Sequence, residues 1–357
     1  MARVPQLDGL RAVAILMVFT GHAFRIPLLW TGVDLFFVLS GYLITGILLR
    51  LKEQPERTGY FAPFYVRRAR RILPPYLLFL VVAGSLFALP WTRGWYWYIF
   101  FATNIPLALG QAGAAALMPL WSLAVEEQFY LVWPLVVRFC SRENLRRVAL
   151  STIVLSPLVR AAATPLFSIH LPIYCLTIFR ADTLAAGAFL AIAQAEDRNW
   201  ITRRRYAGLV ILLTAGILLA LLSLRPNFRT SANSVLFNSA GYSLTAIFFA
   251  GALTYVLALE HGIVYRVLTC KAARYLGQIS YTFYLYHVAV LEKTAAYVNS
   301  PLARAVIGFV LTFTVAAISW RWLESRILNV SLESWKPRML PTLSSPRGSA
   351  ELRSELS

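Results

Sequence analysis

Arg11 and His22 lie eleven residues apart in one apolar run, from Leu7-Asp8-Gly9-Leu10-Arg11 to Thr20-Gly21-His22. Read as a single α-helix, eleven steps of about 100° return His22 to within roughly 20° of the Arg11 face, about 16 Å further along the axis. A cation near one membrane surface, aligned with a deeper imidazole, can hold one end of a long anionic molecule while its other end reacts. Ionisable groups inside apolar spans are costly and mark function by default. The bland alternative for His22 is a histidine hydrogen-bonded within a helix bundle, and the neighbouring stretches weigh against it.

The second apolar run opens Gly32-Val33-Asp34-Leu35-Phe36-Phe37-Val38-Leu39-Ser40-Gly41-Tyr42. Asp34 follows a short turn soon after His22, so its carboxylate is expected to orient or charge the imidazole as a general base. Its competing role is a helix cap. Ser40 and Gly41 suit close helix packing, and Ser40 is also a candidate substrate contact.

Four arginines follow within five residues, in Phe64-Tyr65-Val66-Arg67-Arg68-Ala69-Arg70-Arg71. Arg67, Arg70 and Arg71 are spaced i, i+3, i+4 and should share one helical face beside Arg68. Guanidinium planes suit phosphate oxygens. A topology signal with lipid headgroup contact is the other use, but so dense a cluster exceeds what topology requires. In Trp121-Ser122-Leu123-Ala124-Val125-Glu126-Glu127-Gln128, two carboxylates sit inside an apolar span. At least one of Glu126 and Glu127 must face a polar cavity or a basic partner; a structural Glu–Arg pair is the alternative. Trp121, Ser122 and Gln128 are candidates to hold a sugar by stacking and hydrogen bonds. Ser280, Tyr284 and His287 share one helical face and are expected to line a pathway, although an interface belt also favours tyrosine. Arg180 and Asp182 head a later run and are expected to pair with each other.

The elements that must position these residues are membrane spans. The 357 residues are 58% hydrophobic and only 14% charged, against about 25% charged in an ordinary soluble domain. The fold class is an all-α polytopic membrane protein. Apolar runs appear near residues 9–26, 33–50, 72–90, 120–139, 147–168, 173–195, 207–224, 236–258, 277–298 and 302–323, which predicts about ten transmembrane helices. Trp95 to Leu109 is apolar and aromatic as well. Counting it as a crossing would place Arg142, Arg146 and Arg147 on the wrong side, so it is read as re-entrant or interfacial.

The net charge of +18 is concentrated in short segments between these runs. That pattern fits topology and contact with anionic membrane lipid. Nucleic-acid binding is excluded, because no soluble domain exists to carry such a face. The basic loops at Arg50–Arg71, Arg142–Arg147, Arg198–Arg205 and Arg266–Arg274 are expected to be cytoplasmic, together with both termini. Residues 1–328 should form one transmembrane domain, with 329–357 a disordered cytoplasmic tail. The first run is read as a retained helix, since no small-residue cleavage site follows it. Cys140, Cys175 and Cys270 form no metal-ligand pattern, and no metal or redox cofactor is expected.

Together these stretches resemble the acyltransferase 3 family, multi-pass membrane O-acyltransferases that modify cell-surface and secreted glycans in bacteria. The matching residues are Leu7 to Arg11 with ten residues between Arg11 and His22, Gly32 to Tyr42, Phe64 to Pro74, Trp121 to Tyr130, Ser280 to His287, and Glu324. The resemblance implies ten core helices in the bacterial cytoplasmic (inner) membrane. It implies acyl-coenzyme A, most commonly acetyl-coenzyme A, as a donor substrate on the cytoplasmic side, with no tightly bound cofactor. The acceptor would be a hydroxyl of a glycan or lipid-linked glycan. Arg11 and His22 match the family's Arg-to-His motif. Arg67, Arg68, Arg70 and Arg71 match the segment associated with the donor's phosphates.

Some family members carry a C-terminal esterase-like domain; none is expected here, so transfer would rest on the membrane domain. Glu126 or Glu127, with Asp34, would orient the acceptor or tune the imidazole. Whether His22 removes the hydroxyl proton or is transiently acylated stays open, as do the acceptor's identity and the oligomeric state. A proton-coupled transporter or flippase for a lipid-linked glycan is the rival class, since buried Glu, Asp and His also form proton relays. That rival gives no reason for the arginine cluster. A membrane sensor or scaffold is disfavoured by the buried carboxylates.

Overall fold

A chain in hydrocarbon must satisfy its backbone polar groups internally, and apolar runs of about twenty residues do so as helices. The computed structural model describes residues 4–53, 59–87, 94–111, 113–225, 228 and 230–329. Among these, ten long helices follow in order: α1 (Pro5–Phe24), α2 (Gly32–Glu53), α3 (Phe61–Phe87), α4 (Leu120–Phe139) and α5 (Arg142–Ala163), then α6 (Thr177–Glu196), α7 (Arg205–Ser223), α8 (Tyr242–Leu257), α9 (Lys271–Ala295) and α10 (Pro301–Ser319). The chain is an all-α polytopic membrane protein. Eight of the ten are long and apolar enough to cross a bilayer. The other two, α4 and α9, carry the polar runs around Glu126 and Tyr284, and lean on apolar neighbours for cover. The expected tail beyond residue 329 lies outside the described residues.

Successive helices alternate in direction. Ion pairs Arg142–Glu53 and Arg146–Glu196 tie connections at one end of the bundle, and Asn238 bonds Thr164 at the other. Both described termini fall at the end that carries Arg67–Arg71, called here the arginine end; His22 marks the histidine end. The aromatic stretch after α3 does not cross. Its two helices, Trp95–Ile99 and Asn104–Ala108, have five residues each, about 7–8 Å apiece against an apolar core of about 30 Å. Gln128 clasps this segment to the bundle: its amide nitrogen donates to Asn104 Oδ1 at 3.0 Å and Phe101 O at 3.1 Å, and its oxygen accepts from Thr177. Gln128 is therefore a structural clasp and not the sugar contact expected from its position.

Two helix crossings are backbone to backbone. A Cβ on Gly41 would lie 1.9 Å from the Leu184 carbonyl oxygen, and one on Gly277 would lie 1.9 Å from that of Asp8. Glycine at these points lets α2 meet α6 and α1 meet α9, the close approach that favours helix association in lipid.

Arg180 and Asp182 do not pair with each other, because positions i and i+2 face different sides of a helix. Arg180 pairs with Asp34 of α2, and Asp182 accepts from Arg160 of α5 at 2.7 Å. All four side chains are buried. Arg160 also donates to the carbonyls of Asn238 and Phe179 and to Ser243. The Arg180 guanidinium lies 4.3 Å from the centre of the Tyr242 ring, a desolvated cation–π contact. Removing one member strands its partner. Asp34→Asn should therefore cost about 3–5 kcal/mol, read as a lower thermal midpoint in detergent, while Asp34→Leu combined with Arg180→Met should recover much of it. A single Asp34→Asn variant as stable as wild type contradicts this assignment.

Candidate active site

On α3, Phe64, Ile72, Pro75, Tyr76 and Phe79 are buried. At about 100° per residue they define one inward stripe, which includes Arg68 and is flanked by Arg71. Arg70 falls nearly opposite, and Arg67 is exposed. The expected trio of Arg67, Arg70 and Arg71 is thus replaced by Arg68 and Arg71, joined by Arg11 from α1. These three line a narrow cavity between α1, α2, α3, α4 and α9, with a volume of about 80 Å³.

Two carboxylates face the same space. Glu126 accepts from the Ser40 hydroxyl, which in turn accepts from Tyr130 at 2.9 Å. Glu127 lines the cavity beside it. The Arg68 guanidinium stands 5.3 Å over the Tyr130 ring, and Arg11 keeps a 3.7 Å contact with Asp8. Arg68, Arg71 and the Asp8-paired Arg11 thus share the cavity with two carboxylates, a donor set whose planar guanidiniums suit phosphate oxygens. Glu126 interacts electrostatically with Arg11, Arg68 and Arg71, so the glutamates balance the arginines and do not reach His22 as expected.

From Tyr130 to Ser122 the cavity follows α4 for eight residues, about 12 Å. At its far end Ser122 Oγ and the Tyr284 hydroxyl are 2.7 Å apart, and both lie within reach of the Pro119 carbonyl. Ser280 lines the same wall and donates to Gly277 O at 2.9 Å. One turn beyond Tyr284 stands His287, fully buried. Its Nδ1 lies 2.6 Å from Tyr284 O, and its Nε2 lies 3.3 Å from His22 Nδ1. His22 Nδ1 is also 2.9 Å from Val18 O. A carbonyl oxygen only accepts, so both rings carry their proton on Nδ1. His287 Nε2 then accepts from His22, and the lone pair of His22 Nε2 is left for chemistry. His22 is exposed at the histidine end.

Asp34 is not in this constellation: its pairing with Arg180 directs it away from His22. Trp121 is buried between Tyr174, at 4.6 Å centroid separation, and Phe37, at 6.2 Å. Two further residues, Arg160 and Tyr130, take part in the buried networks. Arg160 had a usable signal, an ionisable residue within an apolar run, whereas the role of Tyr130 depends on the rotation of α4.

A family model described as an acyltransferase domain, acyltransferase 3, matches residues 4–321. The chain belongs to this family. It is similar to the peptidoglycan O-acetyltransferase OatA of Listeria monocytogenes, 28% identical over 91% of this chain and 56% of that one. It is 31% identical to YrhL of Bacillus subtilis, over 94% and 56% of the two chains. Identity to the O-acetyltransferase OatA of Staphylococcus aureus is 28%, over 91% and 57%. The chain spans little more than half the length of these relatives. No solved structure matched it.

The cavity makes an accessibility prediction. With Cys140 and Cys270 replaced by serine, Glu127→Cys and Arg68→Cys, both at half-buried cavity-lining positions, should react with a small water-soluble thiol reagent. Val125→Cys, at a packed and fully buried position, should not. Equal labelling at all three positions would mean that no such cavity separates them.

Proposed function

We propose that the chain is a membrane O-acyltransferase that moves an acyl group, acetyl foremost, from cytoplasmic acyl-coenzyme A to a carbohydrate hydroxyl at the opposite face. The observation that carries this reading is one cavity that joins three guanidiniums to a hydroxyl pair lying one turn from two hydrogen-bonded imidazoles. The names of the relatives support acetyl as the group and a glycan as the acceptor. The Lys- and Arg-rich connections support a cytoplasmic arginine end in a bacterial inner membrane.

Arg11, Arg68 and Arg71 hold the donor's phosphates, and the pantetheine arm lies along the cavity past Glu126 towards Ser122. The thioester carbonyl then sits beside the Ser122 and Tyr284 hydroxyls, donors suited to a developing oxyanion. At the histidine end, His22 Nε2 takes the proton of the acceptor hydroxyl as its oxygen bonds the carbonyl carbon. The carbon–sulfur bond breaks, and the departing thiolate takes up the proton carried by His22. His287 accepts the Nδ1 hydrogen of His22 throughout and holds the tautomer.

Two predictions test this. With labelled acetyl-coenzyme A and wild-type or variant protein in liposomes, His22→Ala should lose about 10²- to 10⁴-fold in transfer rate, with His287→Gln falling between it and wild type. Unchanged transfer by His22→Ala sinks the mechanism. Arg68→Gln and Arg71→Gln should each raise KM for acetyl-coenzyme A roughly tenfold or more, the effect of one lost charge-assisted hydrogen bond, with a smaller effect on kcat. An unaltered KM in both would place the donor's phosphates elsewhere.

A further inference from the structure

We propose that a second pocket at the histidine end, lined from the segments 94–111 and 113–121, binds an uncharged sugar ring of the acceptor by aromatic stacking. This rests on the acyl-transfer reading above and names where its acceptor sits. The pocket has a volume of about 340 Å³ and is lined by Tyr96, Trp97, Tyr98 and Trp121, with the polar groups of Thr103 and Gln111. Among the described residues no charged side chain lines it, which favours an uncharged occupant over a phosphate or a charged peptide. Aromatic faces against ring C–H groups, with a few placed hydroxyl and amide groups, are the chemistry that recognises a pyranose. The Thr103 hydroxyl is buried without a hydrogen-bond partner, a cost that a ligand hydroxyl would relieve.

The pocket is also preorganised. Tyr76 donates to the Tyr98 carbonyl at 2.9 Å, and the Gln128–Asn104 clasp fixes the segment on α4. Trp95 and Phe100 are exposed and suit the membrane interface, so the pocket is held at the level where a surface glycan arrives. Trp121 ends this pocket and its chain neighbour Ser122 ends the donor cavity. The two pockets therefore adjoin at consecutive residues of α4, which brings an acceptor ring held here to the neighbourhood of the hydroxyl pair.

The test uses the full chain in lipid nanodiscs and a β-1,4-linked N-acetylglucosamine tetramer, with binding followed by tryptophan fluorescence and acetylation of the tetramer from acetyl-coenzyme A. Trp97→Ala should weaken binding roughly five- to tenfold, the worth of one aromatic contact, and should raise KM for the tetramer by the same factor. Trp97→Phe keeps a ring and should restore most of both. Thr103→Val, nearly the same shape without the hydroxyl, should weaken binding severalfold. A thermal midpoint near wild type shows that each variant is folded. If Trp97→Ala binds and uses the tetramer as wild type does, the pocket proposal fails while acyl transfer stands. If the tetramer binds in a Trp97-dependent way but is never acetylated, the pocket stands and the acyl-transfer reading fails. Absence of tetramer binding to wild type at millimolar concentration overturns the proposal.

Discussion

The crossing of α1 and α9, where Gly277 meets the Asp8 carbonyl, is the contact on which the site depends. Lipid tails give helices little hydrophobic reason to associate, so close backbone packing must supply it. These two helices run in the same direction, and this contact near the arginine end sets their relative depth. Arg11 then faces the cavity wall formed by Ser280 and Tyr284, and further on His22 meets His287. A side chain at Gly277 would push the helices apart and separate the imidazoles as well as open the cavity.

Two sets of buried charges serve different ends. In the first, Asp34–Arg180 and Asp182–Arg160 are matched one to one, surrounded by aromatic rings, and closed to solvent. Matched pairs in a dry interior add little net stability but are costly to break, so they fix how α2, α5 and α6 dock. In the second, Arg11, Arg68 and Arg71 stand with Glu126 and Glu127 around an open cavity without one-to-one pairing. Looser pairing is tolerable there because the space admits water or a ligand.

Periodicity made the helices legible. The ten apolar runs correspond to ten helices, and the loop charges correctly kept the Trp95–Leu109 stretch from counting as a crossing. Boundaries were less legible: α3 begins at Phe61, well before the apolar run near residue 72, because its first turns are amphipathic and two of their arginines, Arg68 and Arg71, face a cavity. Pairings depend on helix rotation, which periodicity does not supply. That is why Arg67 and Arg70 seemed as suitable as Arg68, why Asp34 seemed bound for His22, and why Arg160 was overlooked. Gln128 shows the same limit, since nothing local distinguishes a clasp from a ligand contact.

The absence of Asp34 from the His22 neighbourhood has a physical logic. A carboxylate held beside His22 among apolar helices would need its own cation, and Asp34 has found one in Arg180. His287 offers a lone pair instead of a charge, so the resting dyad is neutral and carries only the modest desolvation cost of polar groups. Positive charge would arise only as His22 takes a proton. It would then be met by acceptors already in place, the Val18 carbonyl and His287 Nε2, without reorganisation at the moment of reaction. The exposed position of His22 lets water at that end share the charge. A neutral partner therefore suits the proposed base at the edge of a membrane better than an ion would, and it frees α2's carboxylate to hold the bundle together.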